Sequence, residues 1–125
     1  DKLNSIRFFI SADIGMGEYM IKNFEAMAAG CVLFGWRQGN GEEETLGFHD
    51  MENIVLYSSM EECREKIRQL RADPALADRI ALAGQTLVEQ QYSFDVLGRK
   101  TAEALQAPLR RPEDFPLTVW QRLFG

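Results

Sequence analysis

A chain of 125 residues, 46% apolar by count and with four prolines, is sized for one compact domain with a sizeable core, not for a disordered or fibrous chain. A formal charge of −5, with Lys and Arg scattered along the chain, argues against a surface that neutralises nucleic-acid phosphates, so nucleic acid is not an expected partner. A single histidine, no Cys-x-x-Cys and no apolar run near the ~20 residues that span a bilayer argue against a zinc site and a transmembrane segment.

In chain order, Asp1-Lys2-Leu3-Asn4-Ser5 opens without an initiator Met, which fits a piece of a longer protein. Ile6-Arg7-Phe8-Phe9-Ile10 is aromatic and β-branched at nearly every position, as expected of a strand covered on both faces. Residues 11–17 carry Asp13, Gly15 and Gly17, a turn signal, and residues 19–29 read as a helix closed by Gly30. Cys31-Val32-Leu33-Phe34-Gly35-Trp36 follows at once as a second strand, completing a βαβ crossover and implying a parallel sheet. Residues 37–53 are polar and glycine-bearing, a long loop or short helix, before a third strand, Ile54-Val55-Leu56-Tyr57.

Ser59-Met60-Glu61-Glu62 fits a capping box, and Met60, Cys63, Ile67 and Leu70 mark one face of a helix over about 60–72. Asp73-Pro74 pairs a good N-cap with a proline at the first helical position, and Leu76, Ile80, Ala83 and Leu87 outline the next buried stripe. Ser93 is expected to cap a last helix with Val96, Leu97 and Leu105 inward. The organisation expected is an α/β domain over 1–107 and a tail over 108–125, broken by Pro108, Pro112 and Pro116. Phe115, Trp120, Leu123 and Phe124 make that tail apolar enough to dock on this or another lobe. Cys31 and Cys63 fall in apolar patterns and read as buried free thiols, which suits a cytoplasmic protein, with peripheral attachment to a membrane left open.

The segment most open to a chemical reading lies between the first two strands. Glycines ahead of a helix let the backbone approach a ligand closely, and the first-turn N–H groups with the helix dipole favour an anion, most naturally a phosphate. In open parallel sheets ligands sit beyond the carboxyl ends of the strands, where this loop falls. Glu25, farther along the helix, is either a solvated glutamate or a carboxylate that accepts hydrogen bonds from a ribose diol.

The run Asn23-Phe24-Glu25-Ala26-Met27-Ala28-Ala29-Gly30 and the strand after it resemble the donor-binding C-terminal domain of GT-B glycosyltransferases, closest to the "glycosyl transferases group 1" type. Ala81-Leu82-Ala83-Gly84-Gln85 and Tyr92-Ser93-Phe94 are similar to that family's closing helices, so the resemblance covers residues 6–105. It implies a three-layer α/β fold with a parallel sheet, part of a Rossmann-like lobe. It also implies a nucleotide-diphosphate sugar as co-substrate with no resident cofactor, and transfer to a glycan, lipid or protein acceptor. The diphosphate or donor sugar would meet Gly15, Met16, Gly17, Glu18, Tyr19 and Met20, largely through backbone amides, and Glu25 would bind the ribose. Acceptor and general base would come from the rest of the enzyme, so this chain alone is expected to be inactive.

Many family members carry a second glutamate where this chain has Gly17, with Glu18 one position later. That departure motivates the rival reading, a non-catalytic α/β interaction domain derived from a transferase lobe; a sugar-nucleotide epimerase is a third. Other candidates are weaker. His49-Asp50 sits in a polar loop, Glu42-Glu43-Glu44 reads as dipole-favoured surface charge with no metal implied, and Asn40-Gly41 reads as a turn that could border the nucleotide. Met16, Met20 and Met27 read mostly as packing, and Ser11 lacks both a base and a G-x-S-x-G setting.

Overall fold

The computed structural model describes residues 5–108, and the tail expected from 108 onward lies, apart from Pro108, outside them. The elements run β1 (Phe8–Ile10), α1 (Ile21–Ala28), β2 (Val32–Trp36), α2 (Glu42–Leu46), β3 (Val55–Tyr57), α3 (Met60–Ala72), α4 (Pro74–Gln91) and α5 (Phe94–Gln106). The strands form a parallel sheet in the order β1-β2-β3, with Phe8 opposite Val32 and Phe34 opposite Val55. The fold is α/β and Rossmann-like, as expected.

Strand periodicity divides the core between the two faces of the sheet. Val32, Phe34, Val55 and Tyr57 pack with Cys63 and Leu70 of α3 and Ala77 and Ile80 of α4. Leu33, Ile54 and Leu56 pack on the other side with Met27 of α1, Tyr19, Phe48 and Val88. Both cysteines are buried and form no disulfide among the described residues, and burial raises the pKa of each.

Helix α4 crosses the amino-terminal ends of the strands. Arg7, just before β1, donates to the carbonyl of Pro74 (3.0 Å) and to Asp78 (2.7 Å), and Gln85 donates to the carbonyl of Ala28, ahead of β2. Gly84 lies against the carbonyl of Asn53, ahead of β3. With the amino-terminal ends covered, loops at the carboxyl ends face outward.

Helix α1 closes as expected on Gly30, whose φ of +78° places it in the left-handed region. Gly30 N–H donates to Met27 O (2.9 Å) and Cys31 N–H to Ala26 O (3.0 Å), a Schellman pair that feeds the chain directly into β2. The Ser59 cap forms, its hydroxyl accepting from Glu62 N–H, while Glu62 returns to Ser58 N–H, one residue earlier than a capping box requires. Asp73 caps α4 through Leu76 N–H.

The structure corrects several boundaries and faces. Among the described residues β1 pairs with β2 alone, and Phe8 and Phe9 are half-buried and Ile10 is 47% exposed. α1 begins at Ile21, two residues later than read, because both polar ends of Tyr19 are tied to the α2 segment. The buried stripe of α4 is Ala77, Ile80, Gly84 and Val88, turned by one residue so that Gly84 meets Asn53 and Met27. Met60 points to solvent, and α5 buries none of its residues, with Leu105 81% exposed and Ser93 making no side-chain cap.

Candidate functional site

The carboxyl ends of β1 and β2 deliver two loops that fold onto each other. Ser11 N–H donates to Phe34 O (2.8 Å), and the buried Tyr57 hydroxyl donates to Ser11 O (2.8 Å), so the first loop leaves the sheet from a fixed point. Asp13 and Asn23 then bridge the loop to α1: both are buried, and Asn23 Nδ2 donates to Asp13 Oδ2 at 2.7 Å. Asp13 Oδ1 is buried without a hydrogen-bond partner among the described residues.

Between Asp13 and α1 runs the predicted phosphate turn. Gly15 and Gly17 have φ of +71° and +76°, which L side chains rarely adopt, so the turn depends on glycine at both places. Met16, Glu18 and Met20 are exposed, and α1 starts with no side-chain cap on its first-turn amides. The Met16 amide donates to Asp13 O (3.2 Å), Gly17 to Gln38 Oε1 (3.0 Å) and Tyr19 to Glu42 Oε1 (3.3 Å). The amides of Gly15, Glu18 and Met20 make no hydrogen bond to another described residue.

The second loop is the clamp. Gln38 also donates to Asp13 O (3.0 Å), and Asn40 donates to Gly17 O (2.7 Å) while accepting from Glu42 N–H (3.1 Å). Glu43 Oε1 accepts from Gln38 N–H (2.6 Å) and from the Tyr19 hydroxyl (3.0 Å), which also donates to Trp36 O. Burial works against charge on Glu43, but these bonds and its own backbone amide outweigh it and hold the carboxyl below the usual range. Burial first, and then the Glu43 carboxylate, push the Tyr19 hydroxyl far above its ordinary range.

Reading Glu42-Glu43-Glu44 as surface charge is therefore wrong for two of the three. Glu43 is 6% exposed and Glu42 is half-buried, its Oε2 without a partner among the described residues, because Tyr19 draws both toward the sheet; of the three, Glu44 alone stays in solvent. Asn40 joins the turn. His49 and Asp50 do not pair: His49 is exposed, while Asp50 accepts from Arg37, Lys66 and Leu56 N–H as a structural anchor of β3. Asp13, Asn23 and Gln38 were missed. Asn23 had a legible signal, a polar residue one helical turn from the apolar Ala26 and Met27; Gln38 had none.

Glu25 is exposed on α1 and takes no part in this network. It lines instead an adjoining groove of about 580 Å³ between α1, the end of α4 and the start of α5, with Ile21, Phe24, Tyr92, Phe94 and Leu97. Ile21 and Glu25 share one helix face, so the carboxylate lies one turn, ~6 Å, from the helix start. Among the described residues no cluster of three His, Cys, Asp or Glu is arranged to hold a metal, and no helix is long and apolar enough to cross a membrane.

No curated protein and no solved structure matches the chain. A family model does match, over residues 2–106, and the chain belongs to the glycosyl transferase-like family.

Proposed function

We propose that this domain is the donor half of a glycosyl transfer reaction that uses a nucleotide-diphosphate sugar as co-substrate. The observation that supports it most is the left-handed Gly15 and Gly17 turn at the carboxyl end of β1, leading into a helix with no side-chain cap. The amides of Gly15, Glu18 and Met20 and the first turn of α1 face the diphosphate, and Met16, Gly17 and Tyr19 shape the turn. Glu25, one helical turn on, accepts from the ribose hydroxyls. A diphosphate leaving group gains negative charge as the glycosidic bond breaks, and preorganised amides stabilise that charge without reorganisation at the moment of reaction. The acceptor, a glycan, lipid or protein, and the base that activates it belong to the rest of the enzyme, so the chain alone transfers no sugar.

Calorimetric titration of the intact protein with UDP and GDP tests this. Binding of either, weakened at least tenfold by Glu25→Ala, is the expected outcome; binding of neither overturns the proposal. An interaction domain is the second reading, favoured by the apolar groove and by Phe94, 93% exposed on its rim. It requires that neither nucleotide binds.

A further inference from the structure

We infer that Glu42 is an internal competitor at the glycine turn and sets how tightly that turn binds a nucleoside diphosphate. The inference rests on the donor-site reading above and adds an affinity-determining residue that the turn itself does not contain.

Glu42 Oε1 accepts from the amide of Tyr19, which lies in sequence between the Glu18 and Met20 amides proposed to face the diphosphate, so a carboxylate from the neighbouring loop is already seated beside them. Its position is built, not incidental. Glu42 N–H is held by Asn40 Oδ1, and the same Asn40 side chain grips Gly17 O. The next residue, Glu43, is bonded to the Tyr19 hydroxyl and Gln38 N–H. The short α2 that carries both glutamates is bounded by Gly41 and Gly47, with φ of +83° and +72°, so tight left-handed turns present the start of α2 to the glycine turn.

Charge makes that position consequential. Asp13, Glu42 and Glu43 all lie against the turn, and none forms an ion pair among the described residues. Arg37 of the β2–β3 connection is spent on Asp50, and Lys66 of α3 on Asp50 and Glu62. Glu42 Oε2 is buried with no partner among the described residues, so its charge is neither paired nor fully hydrated. An incoming diphosphate meets this carboxylate at close range, in a setting where like charges interact far more strongly than in bulk water.

Glu42→Gln separates the charge from the contact, since the amide oxygen still accepts from Tyr19 N–H. In the intact protein, titrated with UDP and GDP, Glu42→Gln is expected to bind on the order of tenfold more tightly than wild type, with the gain shrinking as salt rises. Glu44→Gln makes the same change in net charge at an exposed position of α2 and is expected to leave affinity within about twofold. Equal gains in both variants would assign the effect to overall charge and overturn the inference. Unchanged or weaker binding by Glu42→Gln, with wild type still binding, would overturn it and leave the donor site standing. Absence of binding by wild type and Glu42→Gln alike would remove both. Coincident far-UV circular dichroism and melting curves establish that the variants compared are folded.

Discussion

Replacing Gly84 with alanine adds one methyl group to α4 at the point where the helix crosses the start of β3. An added Cβ falls 2.6 Å from the carbonyl oxygen of Asn53 and 3.1 Å from Met27 Cε. Met27 is flexible at its end and can yield, but Asn53 cannot. Its side chain is fixed by Gly47 O (2.9 Å) and His49 N–H (2.9 Å), and its own amide by His49 O (3.2 Å). Relief therefore requires α4 to lift from the sheet, an overpacking cost at the upper end of ~1–3 kcal/mol. Alanine recovers about 1 kcal/mol through its better helix propensity, leaving a net loss of roughly 2 kcal/mol. For a domain of this size that is a melting temperature lower by roughly 8 °C. Gly98→Ala in α5 is the matched control, because its Cβ meets nothing within 4 Å. The same chemical change there is expected to add about 0.5–1 kcal/mol. Urea and thermal unfolding followed by far-UV circular dichroism measure both. Should Gly84→Ala stabilise as much as Gly98→Ala, α4 does not pack on the Asn53 carbonyl and the layer arrangement is wrong.

The turn and its clamp yield further expectations. Asn23→Ala leaves the buried Asp13 carboxylate without its 2.7 Å partner and is expected to cost about 3 kcal/mol by urea unfolding, whereas Glu25→Ala, an exposed change, should stay within about 0.5 kcal/mol. Tyr57→Phe removes the hydroxyl that holds Ser11 O and is expected to lose about 1 kcal/mol in the same assay. Glu43, with its pKa depressed in the fold, contributes stability that is fully present above the ordinary carboxyl value of about 4.3 and is lost as pH falls through the lower folded value. The gap in melting temperature between wild type and Glu43→Gln is therefore expected to be widest near pH 6 and to close toward pH 3; a constant gap would refute an ionised Glu43 at the clamp.

Length, apolar pattern and punctuation were enough to set the order and type of every element but α2, which they left between a loop and a short helix, because each signal is local. Gly30 could end α1 only in a left-handed turn, Asp73-Pro74 could only start a helix well, and Val32, Leu33 and Phe34 have no polar alternation to expose. The placement of the glycine turn beyond a parallel strand follows from the same signals. The division of surface from interior at the site does not. Three consecutive glutamates carry the same local signal, and it took Tyr19, folding back from the other loop, to draw Glu42 and Glu43 inward and leave Glu44 in water. The half-buried faces of β1, the one-residue rotation of α4 and the exposure of α5 were likewise decided by what packs opposite each element, the Asn53 carbonyl and Met27 in the case of α4. Local sequence determines which conformations a segment favours; which of its polar groups give up water is set by partners distant in the chain, and only the tertiary structure brings those together.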